Sequence, residues 1–435
     1  MPVVAFSGTP DLLALHAANS RRYPFFLQTL GEKGWDILFA FPQETHVHSV
    51  SAPQPFFVEL DEKWRAVASP RPVDASHLPF RGGWFVYAGY ELLHEVEPSV
   101  APRCDNGGDF PLGVLARIPA AILVDRGAGQ AWLFAEDEFI ECLDTMQEDL
   151  RTMLPVPDVA VRVRDLQEED SSDFLSGVSR IKQYIREGDV FQVNLARRWQ
   201  GELVSGSAAD LYGCLRRSNP APFAGIADFG EQQIISSSPE RLVQVCDGKA
   251  ETRPIAGTHP RSPQPEEDAR LRAALMDSPK ERAEHIMLID LERNDLGRIC
   301  QAGSVAVDEL MAVESYAHVH HIESTVSGRL RPDVTPGQVL GALFPGGTIT
   351  GCPKVRTMQI IGELETSPRL AYTGSMGYLN RDGDMDMNIL IRTFMLNGSR
   401  LSFKAGAGIV ADSDPQRELN ETRAKAKGLL KALQS

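Results

Sequence analysis

The sequence predicts a mixed α/β protein of the antiparallel, α+β kind. Strand-like apolar runs alternate with helical blocks, the strand-rich stretches are spaced as hairpins, and no glycine-rich turn sits where a βαβ nucleotide unit needs one. No internal repeat is present.

Residues 1 to about 155 read as strands: "GWDILFAF", "RGGWFVYAGYELL", "AAILVD" and "QAWLFAE" are apolar runs bounded by Gly, Pro and Asp. Leu154 to Ser172 mixes prolines with an acidic run and marks a junction, dividing the chain into an N-terminal region, 1–155, and a larger region, 165–435. A helix follows from about Ser172 and stops at Gly188. Strand-like runs come next at "VFQVNLARRW", "PFAGIADFG", "QQIISSS" and "RLVQVC", then a helical block from about Glu266 to Asp295. The runs "YTGSMGYL", "MNILIRTFML" and "LSFKAGAGIVA" and a terminal helix close the chain.

At 435 residues, 43% hydrophobic and 24% charged, the chain has ordinary globular composition. Its net charge of −15 and lack of a basic block argue against nucleic acid or an anionic membrane as partner. No apolar stretch nears the roughly 20 residues of a membrane helix, and the N-terminus lacks a leader pattern, so the expected location is cytoplasmic. The six cysteines, Cys104, Cys142, Cys214, Cys246, Cys300 and Cys352, form no C-x-x-C pair and read mostly as buried thiols.

Two helices each carry paired carboxylates. In "DSPKERAEHIMLIDLERND", Ser278 is a cap, Pro279 fits the first helical position, and Glu281 stands where a capping-box carboxylate would. Glu281 and Glu284 share one face. In "ADSDPQRELNETRAKAKGLLKAL", Asp414 and Pro415 repeat the start signal, and Glu418, Glu421 and Lys425 fall at i, i+3 and i+7. Glutamates at this spacing are ordinarily solvated, and the alternative, a hard cation such as Mg²⁺ between the helices, needs their faces to meet.

"FPGGTITGCPKVR" exposes backbone N–H groups around Gly346, Gly347 and Gly351 but is no Walker loop, because Cys352 and Pro353 separate the last glycine from Lys354. "SSSPE" and "YAHVHHIES" offer a glutamate and two histidines for proton transfer.

Taken together, "GDVFQVNLARR", "SSSPERL", "TRPIAGTHPR", "RAEHIMLIDLERNDLGR", "HVHHIEST", "FPGGTITGCPKVR", "TGSMGYL", "MDMNILIRT", "AGAGIVADS" and "ELNETRAKA" resemble the chorismate-utilising enzymes, in the same order, over about Ile181 to Leu433. The family includes component I of anthranilate synthase, component I of aminodeoxychorismate synthase, and the isochorismate and salicylate synthases. The resemblance implies an anthranilate synthase component I-like fold with large antiparallel sheets and surrounding helices, and a Mg²⁺ cofactor. It implies Glu284 and Glu421 as metal ligands with Glu281 and Glu418 beside them. Thr348, Tyr372, Arg392, Gly406, Gly408 and Lys425 match the substrate-binding positions, and Glu240 and His321 the acid/base positions, with Thr258 in the same site.

Related enzymes carry lysine at the position of Ala256. Alanine matches the anthranilate branch, in which ammonia attacks C2 of chorismate and pyruvate is lost. The wider motif set resembles the aminodeoxychorismate branch, which makes 4-amino-4-deoxychorismate on the way to 4-aminobenzoate and folate, and this is the expected activity. "FFLQT", Phe25 to Thr29, departs from the L-L-E-S segment that accompanies tryptophan feedback in anthranilate synthases. The chain contains no glutaminase nucleophile elbow, so a separate glutamine amidotransferase is the expected source of ammonia. A catalytically inactive binding subunit is the remaining alternative, opposed by the full set of motif residues.

Overall fold

Strands from both ends of the chain pair into two antiparallel sheets in the computed structural model, which describes residues 2–31, 33–100, 110–156, 159–315 and 319–434. Side chains 258–260, 280 and 319 also lie outside this description. Among the described residues the first sheet has twelve strands. It runs through Val3–Phe6, Gln130–Ala135, Ala120–Asp125, Trp35–Ala40, Phe25–Gln28, Phe223–Asp228, Gln232–Ser238, Thr393–Asn397, Arg400–Ile409, Gln192–Ser205 and Gly351–Cys352, with Arg162–Glu168 added along Gln192–Ser205. The second has ten strands, in the order Ile255–Pro260, Val319–Arg329, Lys249–Thr252, Arg241–Cys246, Met385–Asn388, Ser375–Asn380, Gly83–Ala88, Gly113–Ile118 and Thr45–His48, with Ala306–Ser315 beside Val319–Arg329.

The N-terminal runs read as strands each contain one, although "RGGWFVYAGYELL" is extended only over Gly83–Ala88 and turns helical from Tyr90. "MNILIRTFML" differs from its reading as one run: Met385–Asn388 pairs in the second sheet, Thr393–Asn397 in the first, and residues 389–392 cross between them. Both halves face packed layers, so hydropathy stays high through the crossing. Regions 1–155 and 165–435 share both sheets, because Phe25–Gln28 pairs with Phe223–Asp228 and Gly83–Ala88 with Ser375–Asn380. The Leu154–Ser172 junction therefore breaks neither sheet, and part of it is the edge strand Arg162–Glu168.

The inner faces of the two sheets meet in a core that includes Phe25, Phe39, Phe85, Tyr87 and Tyr378. Phe25 and Phe85 stack across it at 4.0 Å between centroids, a contact worth about 0.5–1.5 kcal/mol beyond the area buried. Helices Ala208–Ser218 and Pro415–Ala432 cover the outer face of the first sheet, and Pro279–Gly297 and Pro336–Leu343 that of the second.

The caps anticipated in the sequence are formed. Asp414 accepts the Arg417 amide at 2.9 Å, Ser278 accepts that of Glu281 at 3.3 Å, and Gly188 closes Ser171–Glu187 at φ 85°. The helical block from Glu266 divides at Ser278 into Pro265–Asp277 and Pro279–Gly297. The reciprocal capping-box bond expected of Glu281 is not made; its carboxylate lies against Gly257 instead. Cys142, Cys214 and Cys300 are buried, Cys246 is exposed and Cys352 half-buried, while Cys104 lies outside the described residues. No described helix is long and apolar enough to cross a membrane.

Beneath the first sheet lies a buried ion cluster. Glu365 accepts Arg369 Nε at 3.0 Å and Nη2 at 2.6 Å, Lys404 Nζ at 3.3 Å and the Ala196 amide at 3.0 Å. Burial pushes the Glu365 carboxyl up, but Arg369 and Lys404 outweigh it and hold it below its ordinary value. Glu365→Gln leaves two buried cations without a counter-charge and is expected to cost about 3–5 kcal/mol, read from the denaturant midpoint at pH 7. The carboxylate's contribution is fully present above its unfolded value of 4.5 and is lost as pH falls through its lower folded value, so the difference between parent and variant shrinks in acid.

Candidate active site

Glu240 and Arg392 are placed by two neighbouring crossings between the sheets. The chain leaves the first sheet at Ser238 and enters the second at Arg241, and it returns through residues 389–392. The crossings are stitched together: the Ile389 amide donates to Glu240 O at 3.0 Å, and the Ser237 amide to Arg392 O at 3.2 Å. Arg392 turns with φ 52°, a left-handed conformation uncommon for a side chain of its size.

His321 comes from the second sheet. Thr258 pairs with His321 and Ala256 with Ile322, around a bulge at Gly257. Gly257 has φ +65°, and a Cβ there would lie 2.9 Å from both Glu281 Oε2 and Leu275 Cδ1, so the bulge needs glycine for conformation and for space. The bulged carbonyl lies 3.3 Å from His321 Nδ1 and can accept its proton. Ala256 is buried and pairs with Ile322, the residue next to His321 in the strand. Of Thr258 only the backbone is described.

Arg400–Ile409 supplies a glycine floor. A Cβ at Gly406 would lie 2.5 Å from Asn194 Oδ1 and 3.0 Å from the Tyr372 hydroxyl; one at Gly408 would lie 2.4 Å from Gln192 Nε2. The two glycines thus let Gln192, Asn194 and Tyr372 lie across the strand. Lys425, from the covering helix Pro415–Ala432, donates to Gly406 O at 3.0 Å and pairs with Glu421 at 2.8 Å.

These elements bring Glu240, His321, Arg392, Thr348 and Lys425 together. Burial raises Glu240 to about 7, opposed by nearby Thr348, reinforced by the Glu323 charge, and opposed again by the Ile255 amide and Lys425. His321 is lowered to about 4, first by burial, with Arg392, His320 and Lys425 adding and the Gly257 carbonyl opposing. Below about pH 7 the site therefore holds a carboxylic acid and a neutral imidazole beside cationic side chains, an arrangement suited to an anionic ligand with a leaving group that needs a proton. Tyr372, Gly406 and Lys425 form the adjoining wall.

The carboxylate pairs are less gathered. Glu281 and Glu284 sit on the helix behind the second sheet, Glu418 and Glu421 on the one behind the first. Among the described residues no three His, Cys, Asp or Glu side chains converge as a metal cage. The donors are all hard oxygens, and Mg²⁺ commonly binds through one or two carboxylates and completes its shell with water and substrate oxygens. They fit such an open, substrate-completed site and not a closed structural one.

The structure adds residues that the sequence reading passed over. Gln192 Oε1 and Asn194 Oδ1 are buried on the glycine floor without hydrogen-bond partners, as is Glu240 Oε1. In the strand register Asn194 stands opposite Gly408, and the glycines at 406 and 408 leave room for the Asn194 and Gln192 side chains. A separate cavity of about 400 Å³ lies behind the site, walled by Leu27, Gln28, Trp35, Arg241, Tyr378 and Asp386 among others. It reaches Pro239 and Ile255, the neighbours of Glu240 and Ala256.

Over 360 residues the chain is 42% identical to an anthranilate synthase component I-like protein of Synechocystis sp., covering 82% of this chain and 74% of the relative. It is 44% identical over 303 residues to aminodeoxychorismate synthase component 1 of Bacillus subtilis, covering 68% and 64%. Its fold superposes on the crystal structure of anthranilate synthase component I from Streptococcus pneumoniae with a TM-score of 0.82 at 34% identity, over 91% of this chain and 92% of that one. Residues 23–431, which hold the second sheet, all but the Val3–Phe6 strand of the first and every residue of the candidate site, match the chorismate binding enzymes, and the chain belongs to that family.

Proposed function

We propose that the chain is the chorismate-binding component of a chorismate-aminating synthase that makes 4-amino-4-deoxychorismate. The observation that carries the loss of the C4 hydroxide is Glu240, a buried carboxyl raised to about 7 beside Arg392, Lys425 and Thr348, while amination rests on the motif set. In this reading Arg392, Tyr372 and Lys425 take the substrate's carboxylates, with the Gly406–Gly408 floor and Thr348 orienting them. Glu240 protonates the departing C4 hydroxide, which is otherwise a poor leaving group. His321, a neutral imidazole at rest, accepts a proton and becomes cationic, or relays it onward. Mg²⁺ held by Glu284 and Glu421, with Glu281 and Glu418 beside them, would withdraw electron density from the ring through its carboxylate. Ammonia comes from a glutamine amidotransferase subunit or from ammonium salt.

The motif set, "HVHHIEST", "FPGGTITG" and "GSMGYL" above all, supports the 4-amino product. Ala256 supports the second reading, anthranilate formation, because it offers no amine for a covalent intermediate. Incubation with chorismate, Mg²⁺ and ammonium, with and without an aminodeoxychorismate lyase, separates the two. We expect 4-aminobenzoate only when the lyase is added; anthranilate without the lyase would replace this reading by the second.

Two further outcomes are expected. At constant free ammonia kcat falls above about pH 7 as Glu240 ionises, and Glu240→Gln lowers kcat by at least about 100-fold without that limb. Ala256→Lys, which supplies the amine that related enzymes carry at this position, is expected to keep the fold by circular dichroism and to trap a covalent adduct with chorismate, read by mass spectrometry.

A further inference from the structure

The turn "RLAYTG", Arg369 to Gly374, carries two left-handed residues that are not glycine. Leu370 has φ 56° and Thr373 has φ 64°. Between them stands Tyr372, whose ring lies under the Arg369 guanidinium. A β-branched residue is poorly suited to that backbone conformation, which glycine adopts freely. Thr373 is nevertheless buried there, so its presence is explained by what its side chain and amide hold and not by the turn itself.

Its hydroxyl is engaged on both sides. Oγ1 donates to Tyr372 O at 2.5 Å and accepts from Arg369 Nη1 at 3.3 Å. The Tyr372 amide donates to Arg369 O at 3.0 Å, so the tyrosine's peptide groups are held at the amide by Arg369 and at the carbonyl by Thr373. The Thr373 amide reaches the other way. It donates to Leu390 O at 2.7 Å, and the Leu390 amide returns a bond to Gly374 O at 2.8 Å. Leu390 belongs to the crossing at residues 389–392, two residues before Arg392, whose own left-handed turn is tied to the Ser237 amide. One buried threonine therefore joins the backbone that carries Tyr372 to the backbone that carries Arg392.

We propose that Thr373 is a positioning residue that fixes the spacing between Tyr372 and Arg392. The inference rests on the reading of those two side chains as receptors for the substrate's carboxylates. A rigid dicarboxylate binds more tightly to two receptors already held at the matching separation than to two that must be ordered as it binds. Thr373 bonds to the backbone at Tyr372 and Leu390 and acts through these neighbours. Without its hydroxyl both receptors remain, but the tie that sets one against the other is lost on the Tyr372 side.

Titration calorimetry of chorismate into the full chain with Mg²⁺ and without ammonium tests this. Thr373→Val keeps the shape and removes the hydroxyl, and is expected to raise Kd about tenfold, while Thr373→Ser, which keeps the hydroxyl, stays within about twofold of the parent. In an Arg392→Lys background the valine change should cost less than about twofold more, because the receptor it helps to place is already altered. If Thr373→Val does not fold, Thr373→Gly takes its place, since glycine accepts the left-handed turn and also lacks the hydroxyl. Equal weakening with and without Arg392→Lys means a general structural role and overturns the proposal, as does parent-like binding by the variant without the hydroxyl or a serine variant as weak as the valine one. Unchanged binding in both Tyr372→Phe and Arg392→Lys would instead remove the carboxylate reading on which the proposal stands.

Discussion

The candidate site hangs on one buried guanidinium. Arg369 is held by Glu365 in a two-point ion pair, and from there its Nη1 donates to Ile349 O at 3.0 Å and its Nη2 to Asn194 O at 2.8 Å. Its plane lies over the rings of Tyr90 and Tyr372. Glu91, buried and raised to about 7 by that burial, accepts the amides of Arg369 and Leu370 at 2.8 and 2.9 Å and fixes the backbone that carries it. One side chain therefore sets the turn holding Thr348, the strand holding Gln192 and Asn194, and the ring of Tyr372. Such planar, multi-donor bonding is what arginine offers and lysine does not.

A second constraint is electrostatic. The chain carries a net charge of −15, yet its candidate substrate site gathers Arg392 and Lys425 around a carboxyl group that burial keeps protonated. The attraction for an anion is local and owes nothing to the overall charge, which opposes it. The same low-dielectric surroundings keep His321 neutral, so cationic recognition and proton donation are assigned to different side chains.

Much of this was legible in the sequence. Helix starts at Asp414 and Ser278 and the stop at Gly188 depend on local chemistry, and local chemistry is what a single sequence displays. The positions of Glu240, His321, Arg392, Thr348 and Lys425 were legible through motif resemblance, and the fold brings them together. The crossing at residues 389–392 was hidden, because apolar residues line both sheets it joins. Gln192 and Asn194 acquire meaning only once their side chains are seen lying against Gly408 and Gly406, which make room for them.

The sharing of both sheets between the two ends of the chain has a consequence for how the molecule is made. Phe25–Gln28 and Gly83–Ala88 emerge early in synthesis, yet their partners Phe223–Asp228 and Ser375–Asn380 follow nearly 200 and nearly 300 residues later. Until then the early strands present unpaired edges, and closing such long loops is the slow, aggregation-exposed part of building a non-local sheet. The second sheet cannot close before Ser375–Asn380 has been translated, so the pocket between its strands and those of the first is among the last features of the nascent chain to take shape.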